Sequence, residues 1–124
     1  MTARTASIDL LIDFDDHKSL DFSLANDLDP RERAQVREYV QNILRRLSYL
    51  DFMIGEFSSI GIDEMKPVLK NILRLGVYEM LFMPGTPDYA SINEAVEITK
   101  ARMGSKSGDL VNAILRNIQR DIAK

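Results

Sequence analysis

The 124-residue sequence predicts an all-α protein, and three observations carry that prediction. Apolar residues recur at spacings of three and four along most of the chain, which is the period of a helix face and not the alternation of a strand. Helix-start residues stand at the heads of these stretches, Asp29-Pro30 and the Ser91/Glu94 spacing being the plainest. Short turn-forming segments separate them, among them Ser58-Ser59-Ile60-Gly61 and Pro84-Gly85-Thr86-Pro87. Nothing reads as a strand, a repeat or a low-complexity tract.

The elements follow in order. Thr2 to about Phe14 gathers Ala6, Ile8, Leu10, Leu11 and Ile12 on one broad apolar face. Asp13, Asp15 and Asp16 oppose the negative helix C-terminus, so this end is expected to fray or turn. Ser19 to Asn26 reads as a short helix. At Asp29-Pro30 the aspartate can accept from free backbone N–H groups, and the proline occupies the one helical position where its missing N–H does no harm. A single long helix is expected from there, with Val36, Val40, Ile43, Leu47, Leu50 and Ile54 as its stripe, ending at Gly55. That stripe spans fewer than three heptads, which favours a core helix of a bundle over a coiled coil.

Asp63 is a candidate cap, and Pro67 is tolerated in the first turn of a helix from about Lys66 to Met83. Val68, Ile72, Leu75 and Phe82 fall near one face of it, and Leu69, Leu73, Val77, Met80 and Leu81 widen the apolar arc to most of the circumference. Such a helix belongs at the centre. Ser91 and Glu94 have capping-box spacing, in which each side chain satisfies a free backbone donor of the other. Gly104 to Gly108 reads as a polar hinge and Asp109 as the cap of a last helix with Leu110, Ile114, Leu115, Ile118 and Ile122 turned inward.

Length allows one domain, residues 1–124, with an ordinary core. Hydrophobic residues at 45% and charged residues at 28% describe a folded soluble chain. No stretch approaches the length needed to cross a bilayer, and Met1 to Ile12 lacks a signal-peptide core, so a cytoplasmic location without membrane partners is expected. The chain has no cysteine, which removes thiolate chemistry and cysteine-based zinc sites. Its one histidine, His17, sits beside Asp15 and Asp16 and reads as a solvated loop residue, because a metal site needs three or four convergent ligands. There is no Walker loop, no G-x-G-x-x-G, no G-x-S-x-G and no carboxylate–histidine diiron pattern. A non-enzyme without metal or cofactor is expected. The net charge of −3 means that any RNA contact must be a local basic patch.

Arg74 interrupts Ile72-Leu73-Arg74-Leu75, and Glu94 interrupts Ile92-Asn93-Glu94-Ala95-Val96. An unpaired buried charge is costly, so Arg74 is expected to pair with a carboxylate of a neighbouring helix, Glu94 or else Glu79, as a structural ion pair. Tyr78 reads as a half-buried anchor, and with Glu79 it is the candidate contact for a protein partner. Tyr39, Arg46 and Tyr49 form an edge that would support a weak homodimer; otherwise the chain is a monomer.

Arg74 followed by Val77, Tyr78 and Glu79, then a proline-containing loop into Ile92-Asn93-Glu94-Ala95-Val96-Glu97, then Val111-Asn112-Ala113-Ile114-Leu115, together and in that order resemble the NusB family. The resemblance implies a bundle of about six to seven helices in two packed subdomains. It also implies an RNA-binding transcription antitermination factor acting on boxA-type RNA together with NusE, a small-subunit ribosomal protein. Asn112 to Ile118 further resembles the NusB-like N-terminal domain of rRNA cytosine-5 methyltransferases of the RsmB type, although their catalytic domain and its cysteines are missing. A stand-alone or excised RNA-docking domain, with rRNA as the partner, is therefore the alternative reading, and a protein-binding helical module with little RNA affinity is a third. NusB proteins generally enter their first helix with an arginine-rich segment; here only Arg4 precedes Asp9 and Asp13. The remaining candidate RNA-binding residues are Lys100, Arg102 and Lys106 around Gly104, with Asn112 and Arg116 further along the last helix. So few cations predict modest affinity with a shallow salt dependence.

Overall fold

A computed structural model describes residues 1–123. Six α-helices and two short 3-10 helices follow one another, and no strand occurs among the described residues. They divide into two compact units, residues 1–46 and the chain from Leu47 onward.

In the first unit, α1 (Ala3–His17) starts from Thr2, whose hydroxyl accepts from the Thr5 N–H while the Thr5 hydroxyl accepts from the Thr2 N–H at 2.9 Å. Two threonines thus form a reciprocal cap, which satisfies two of the helix's orphan donors. The helix runs three residues past the expected end at Phe14 and stops at Lys18, in the left-handed conformation at φ 57°. His17 lies 3.0 Å from Asp13 one turn back, so the acidic end carries a basic partner of its own. The region read as a short helix is a 3-10 turn at Phe22–Ala25, capped by Asp21. At α2 (Pro30–Arg45) the Asp29 carboxylate accepts from the Glu32 N–H at 2.8 Å, as its position before Pro30 implied. That hydrogen bond holds the Asp29 carboxyl below its ordinary range. Ile8, Leu10 and Leu11 of α1 and Val36, Tyr39, Val40 and Ile43 of α2 are buried.

The single long helix expected from Asp29 to Gly55 is two. Arg46 leaves helical geometry at φ −108° and ψ 17°, its N–H shared between the carbonyls of Asn42 and Ile43, and α3 (Leu47–Phe57) begins directly after it. The division between the two units falls at the same residue. Tyr39, expected on an exposed dimer edge with Arg46 and Tyr49, is buried; Tyr49 is 50% exposed.

In the second unit, α4 (Pro67–Phe82) buries every residue from Asn71 to Met80, as its nearly continuous apolar circumference demanded. Helices α3, α5 (Asp88–Met103) and α6 (Ser105–Ile122) pack around it. At Gly76 a β-carbon would stand 3.0 Å from a Leu115 methyl, so the missing side chain is what lets α6 approach so closely. Phe82, expected on the inward face of α4, is exposed at the helix end.

Three expected caps are not formed: Asp63 lies inside a 3-10 turn at Ile62–Glu64, and Lys66, which precedes α4, makes no side-chain cap. Helix α5 starts at Asp88, directly after Pro87, which puts Ser91 in its second turn, and Asp109 lies inside α6. Proline before a helix already fixes an extended backbone, so the start moved to the earliest permitted residue. The hinge expected over Gly104 to Gly108 is one residue. Gly104 ends α5 and begins α6 at φ +95°, a conformation that side-chain-bearing residues rarely adopt.

Candidate nucleic-acid interface

Positive charge gathers where α5 turns into α6. Lys100 and Arg102 occupy the last turn of α5, where the helix dipole favours cations, and Lys106 occupies the first turn of α6; all three are exposed. The Lys100 carbonyl accepts from the Gly104 N–H at 3.0 Å, closing α5, and the first turn of α6 has no side-chain cap. The aliphatic stem of Lys100 crosses α6 at Gly108, where a β-carbon would lie 2.7 Å from Lys100 Cγ. Gly108 thus makes room for the lysine, and the fold holds Lys100 and Lys106 beside a helix start whose backbone N–H groups suit an anion.

Asn112 and Arg116 stand one turn apart on the half-exposed flank of α6, while Val111, Ile114, Leu115 and Ile118 fill its buried side. Exposed Asp109 precedes Asn112 on that flank. Arg4 lies in the first turn of α1, in the other unit, half-buried and with an interaction partner.

The expected ion pair exists with a different partner. Arg74 Nε and Nη2 each donate to Asp51 at 2.8 Å, and Nη1 donates to Asn71 Oδ1 at 3.0 Å. The Arg74 side chain is 4% exposed and the Asp51 side chain 24%. This forked geometry matches both carboxylate oxygens at once. Glu94 is exposed: Ser91, Ile92, Ala95 and Thr99 define the buried side of α5, and Glu94 falls opposite them. Asp51 had the same signature in the sequence as Arg74, a charge inside an apolar run (Ser48-Tyr49-Leu50-Asp51-Phe52-Met53), but the reading of α2 and α3 as one helix hid which face it occupied.

Tyr78 and Glu79 do not offer a surface to a partner. Tyr78 is 5% exposed and stacks on Phe82 at 5.8 Å between ring centroids, and Glu79 is 1% exposed and accepts from the Ser91 hydroxyl at 3.1 Å. The residues that carry the family resemblance in α4 are therefore internal supports, as are Ile92 and Ala95 of α5, whereas Asn93, Glu94 and Glu97 are exposed. The aromatic rings that do reach solvent in this unit include Tyr49, Phe82 and Phe52, with Tyr49 and Phe82 in edge contact at 6.4 Å. No group of three or more His, Cys, Asp or Glu that could hold a metal occurs among the described residues. No helix there is long and apolar enough to cross a membrane.

A helical unit built around a buried arginine–carboxylate fork, with cations collected on a one-residue corner between two helices, defines a small all-α protein. The NusB family model matches residues 1–120, and the chain belongs to the NusB family. It is 34% identical over 107 residues to the transcription antitermination protein NusB of Methylacidiphilum infernorum, covering 86% of this chain and 75% of that one. It is 36% identical over 97 residues to a probable ribosomal RNA small subunit methyltransferase B of Bacillus subtilis, covering 78% of this chain but 22% of the enzyme. Its fold matches the structure of antitermination factors NusB and NusE in complex with dsRNA, at a TM-score of 0.84 and 22% identity over 96% of this chain and 94% of that one.

Proposed function

We propose that this protein is an RNA-binding transcription antitermination factor of the NusB type, acting with a NusE-like ribosomal protein on boxA-type RNA in the cytoplasm. The observation that carries this reading is the match to the antitermination protein of Methylacidiphilum infernorum, which extends over 75% of that protein's length. In this reading residues 1–124 are one RNA-binding domain without catalysis, as the likeness to an antitermination protein suggests. RNA meets the α5–α6 corner, where Lys100 and Lys106 neutralise phosphates and the start of α6 supplies backbone donors. Arg102, Asn112 and Arg116 extend the contact on the same two helices, and Arg4, on α1 of the first unit, is a separate candidate cation.

The match to the Bacillus subtilis methyltransferase favours a second reading, in which the chain docks rRNA as the accessory part of such an enzyme does. Filter binding of a boxA-like RNA and of a structured rRNA fragment, each with and without NusE, separates the two. Tight boxA binding only in the ternary complex supports the antitermination reading; preference for the structured fragment, indifferent to NusE, replaces it with the docking domain. No binding to either RNA leaves a protein-binding helical module.

A further inference from the structure

In the first unit the 3-10 turn and the early part of α2 enclose a notch of about 180 Å³, lined by Phe22, Ser23, Ala25, Asn26, Arg33 and Arg37. Arg33 and Arg37 are four residues apart on one helix face. The Arg37 guanidinium lies over the Phe22 ring, 4.4 Å from its centroid. Arg33 Nη1 donates to the Leu28 carbonyl at 2.7 Å, which fixes that side chain and leaves its Nε and Nη2 for another acceptor. Neither guanidinium has a carboxylate within ion-pair distance among the described residues. The nearest acid in the turn, Asp21, accepts from the Ser23 N–H and hydroxyl, and those bonds hold its carboxyl below the ordinary range.

We propose that this notch is a second RNA contact, which takes a phosphodiester group between Arg33 and Arg37. The proposal rests on the RNA-binding reading above and adds to it a site that the sequence did not suggest. The chain carries a net charge of −3, and in it two neighbouring arginines without an acidic partner are a specific provision for an anion. Guanidinium donors match phosphate oxygens in pairs, and stacking on a ring fixes the plane of those donors before the ligand arrives, which lowers the ordering cost of binding. Asn26 stands at the side of the notch as a further hydrogen-bonding group.

The test measures the affinity of a fluorescent single-stranded 12-nucleotide RNA across a salt series. The proteins are wild type, Arg37→Gln, Phe22→Leu and the Lys100→Ala, Lys106→Ala double variant, with circular dichroism to verify folding. Arg37 is exposed on α2, so its replacement leaves the core untouched. Arg37→Gln is expected to weaken binding about 3- to 10-fold and to make the log–log salt slope shallower by about 0.7, one phosphate's share for a single strand. Phe22→Leu should weaken binding by less with the slope unchanged, since the charge remains. If Arg37→Gln binds like wild type while the double lysine variant is weakened, the notch proposal is overturned and the RNA reading stands. The series is run with and without NusE, and if wild type binds the RNA in neither, both fall. A parallel titration with inorganic phosphate, followed by the Arg37 Nε–H resonance, distinguishes sources: a response at the same concentration as for RNA phosphate overturns an RNA contact in favour of a free-anion site.

Discussion

The first unit keeps its ionised groups at the rim and the second keeps a set of them inside. In residues 1–46 the polar contacts that define structure are terminal ones, Thr2 with Thr5 and Asp29 with Glu32, and the arginines Arg33 and Arg37 border an open notch. From Leu47 onward, Arg74, Asp51, Asn71, Glu79 and Ser91 form hydrogen-bonded contacts on the buried helix α4 and its neighbours, and the exposed cations sit apart at the Gly104 corner. The difference teaches that recognisable sequence and contact surface are separate properties in this chain. The residues by which the family is recognised in α4 hold the second unit together, while the positions able to meet an anion are ordinary exposed lysines and arginines.

The sharpest way to break that comparison is to remove one member of the buried fork. Asp51→Ala should cost about 3 kcal/mol or more in urea unfolding, because the orphaned Arg74 guanidinium remains buried. Glu94→Ala, at the position first expected to pair with Arg74, should change stability by less than about 0.5 kcal/mol. An Arg74→Met, Asp51→Ala double variant should lose much less than the sum of the two single changes, and strict additivity in that cycle would dismiss the pairing.

A change at the cationic corner should do the reverse, leaving stability alone and altering RNA binding. Lys100→Ala with Lys106→Ala should reduce the salt slope by about 1.4, at roughly 0.7 per lost phosphate contact, with an unfolding midpoint near that of wild type. A slope identical to wild type would move the contact away from this corner. Gly108→Ala should act through the same lysine. The added methyl displaces the Lys100 stem, while alanine's better helix propensity, worth about 1 kcal/mol, offsets the crowding, so RNA affinity falls with little loss of stability.

The smallest effect belongs to the first unit's rim. The Asp29 carboxyl is depressed in the folded state by the Glu32 N–H, so its contribution is fully present above the ordinary carboxylate range and is lost as pH falls through the depressed value. Asparagine caps about as well but does not titrate. Asp29→Asn should therefore match wild type at neutral pH and lose less stability on acidification, as thermal melts from pH 7 to pH 2 would record. Parallel acid profiles for the two proteins would mean that the cap does not contribute through its charge.

Much of this architecture was legible wherever a local rule acts alone. Asp29-Pro30 gives a start because both residues suit their positions without help from elsewhere, and the apolar girth of α4 predicts its central place. Legibility fails where packing decides. The stripe from Val36 to Ile54 runs through Arg46 with no glycine or proline to mark the break between α2 and α3. Ser91 and Glu94 had the spacing of a cap, yet Pro87 allowed α5 to begin earlier, which turned Ser91 inward to Glu79 and Glu94 out to solvent. At the candidate site, Lys100 and Lys106 could be found by counting charge near a hinge. The notch at Phe22 could not, because it needs the 3-10 turn and α2 in place before the ring and the guanidinium meet.

The single residue that joins α5 to α6 has a consequence for the order in which the chain acquires its structure. Closing a connection of one residue costs little chain entropy, and the two helices it joins then meet along their length, so this pair reaches its native contacts sooner than any partnership requiring a longer loop. Gly104→Ala strains the corner at φ +95° and should slow refolding about as much as it lowers stability, a φ-value near 1 in stopped-flow measurements, whereas Asp51→Ala, acting across 23 residues of sequence, should mainly speed unfolding. The corner that gathers the lysines is then also the earliest part of the second unit to be native, and the start of α6 is in place before the arginine fork locks behind it.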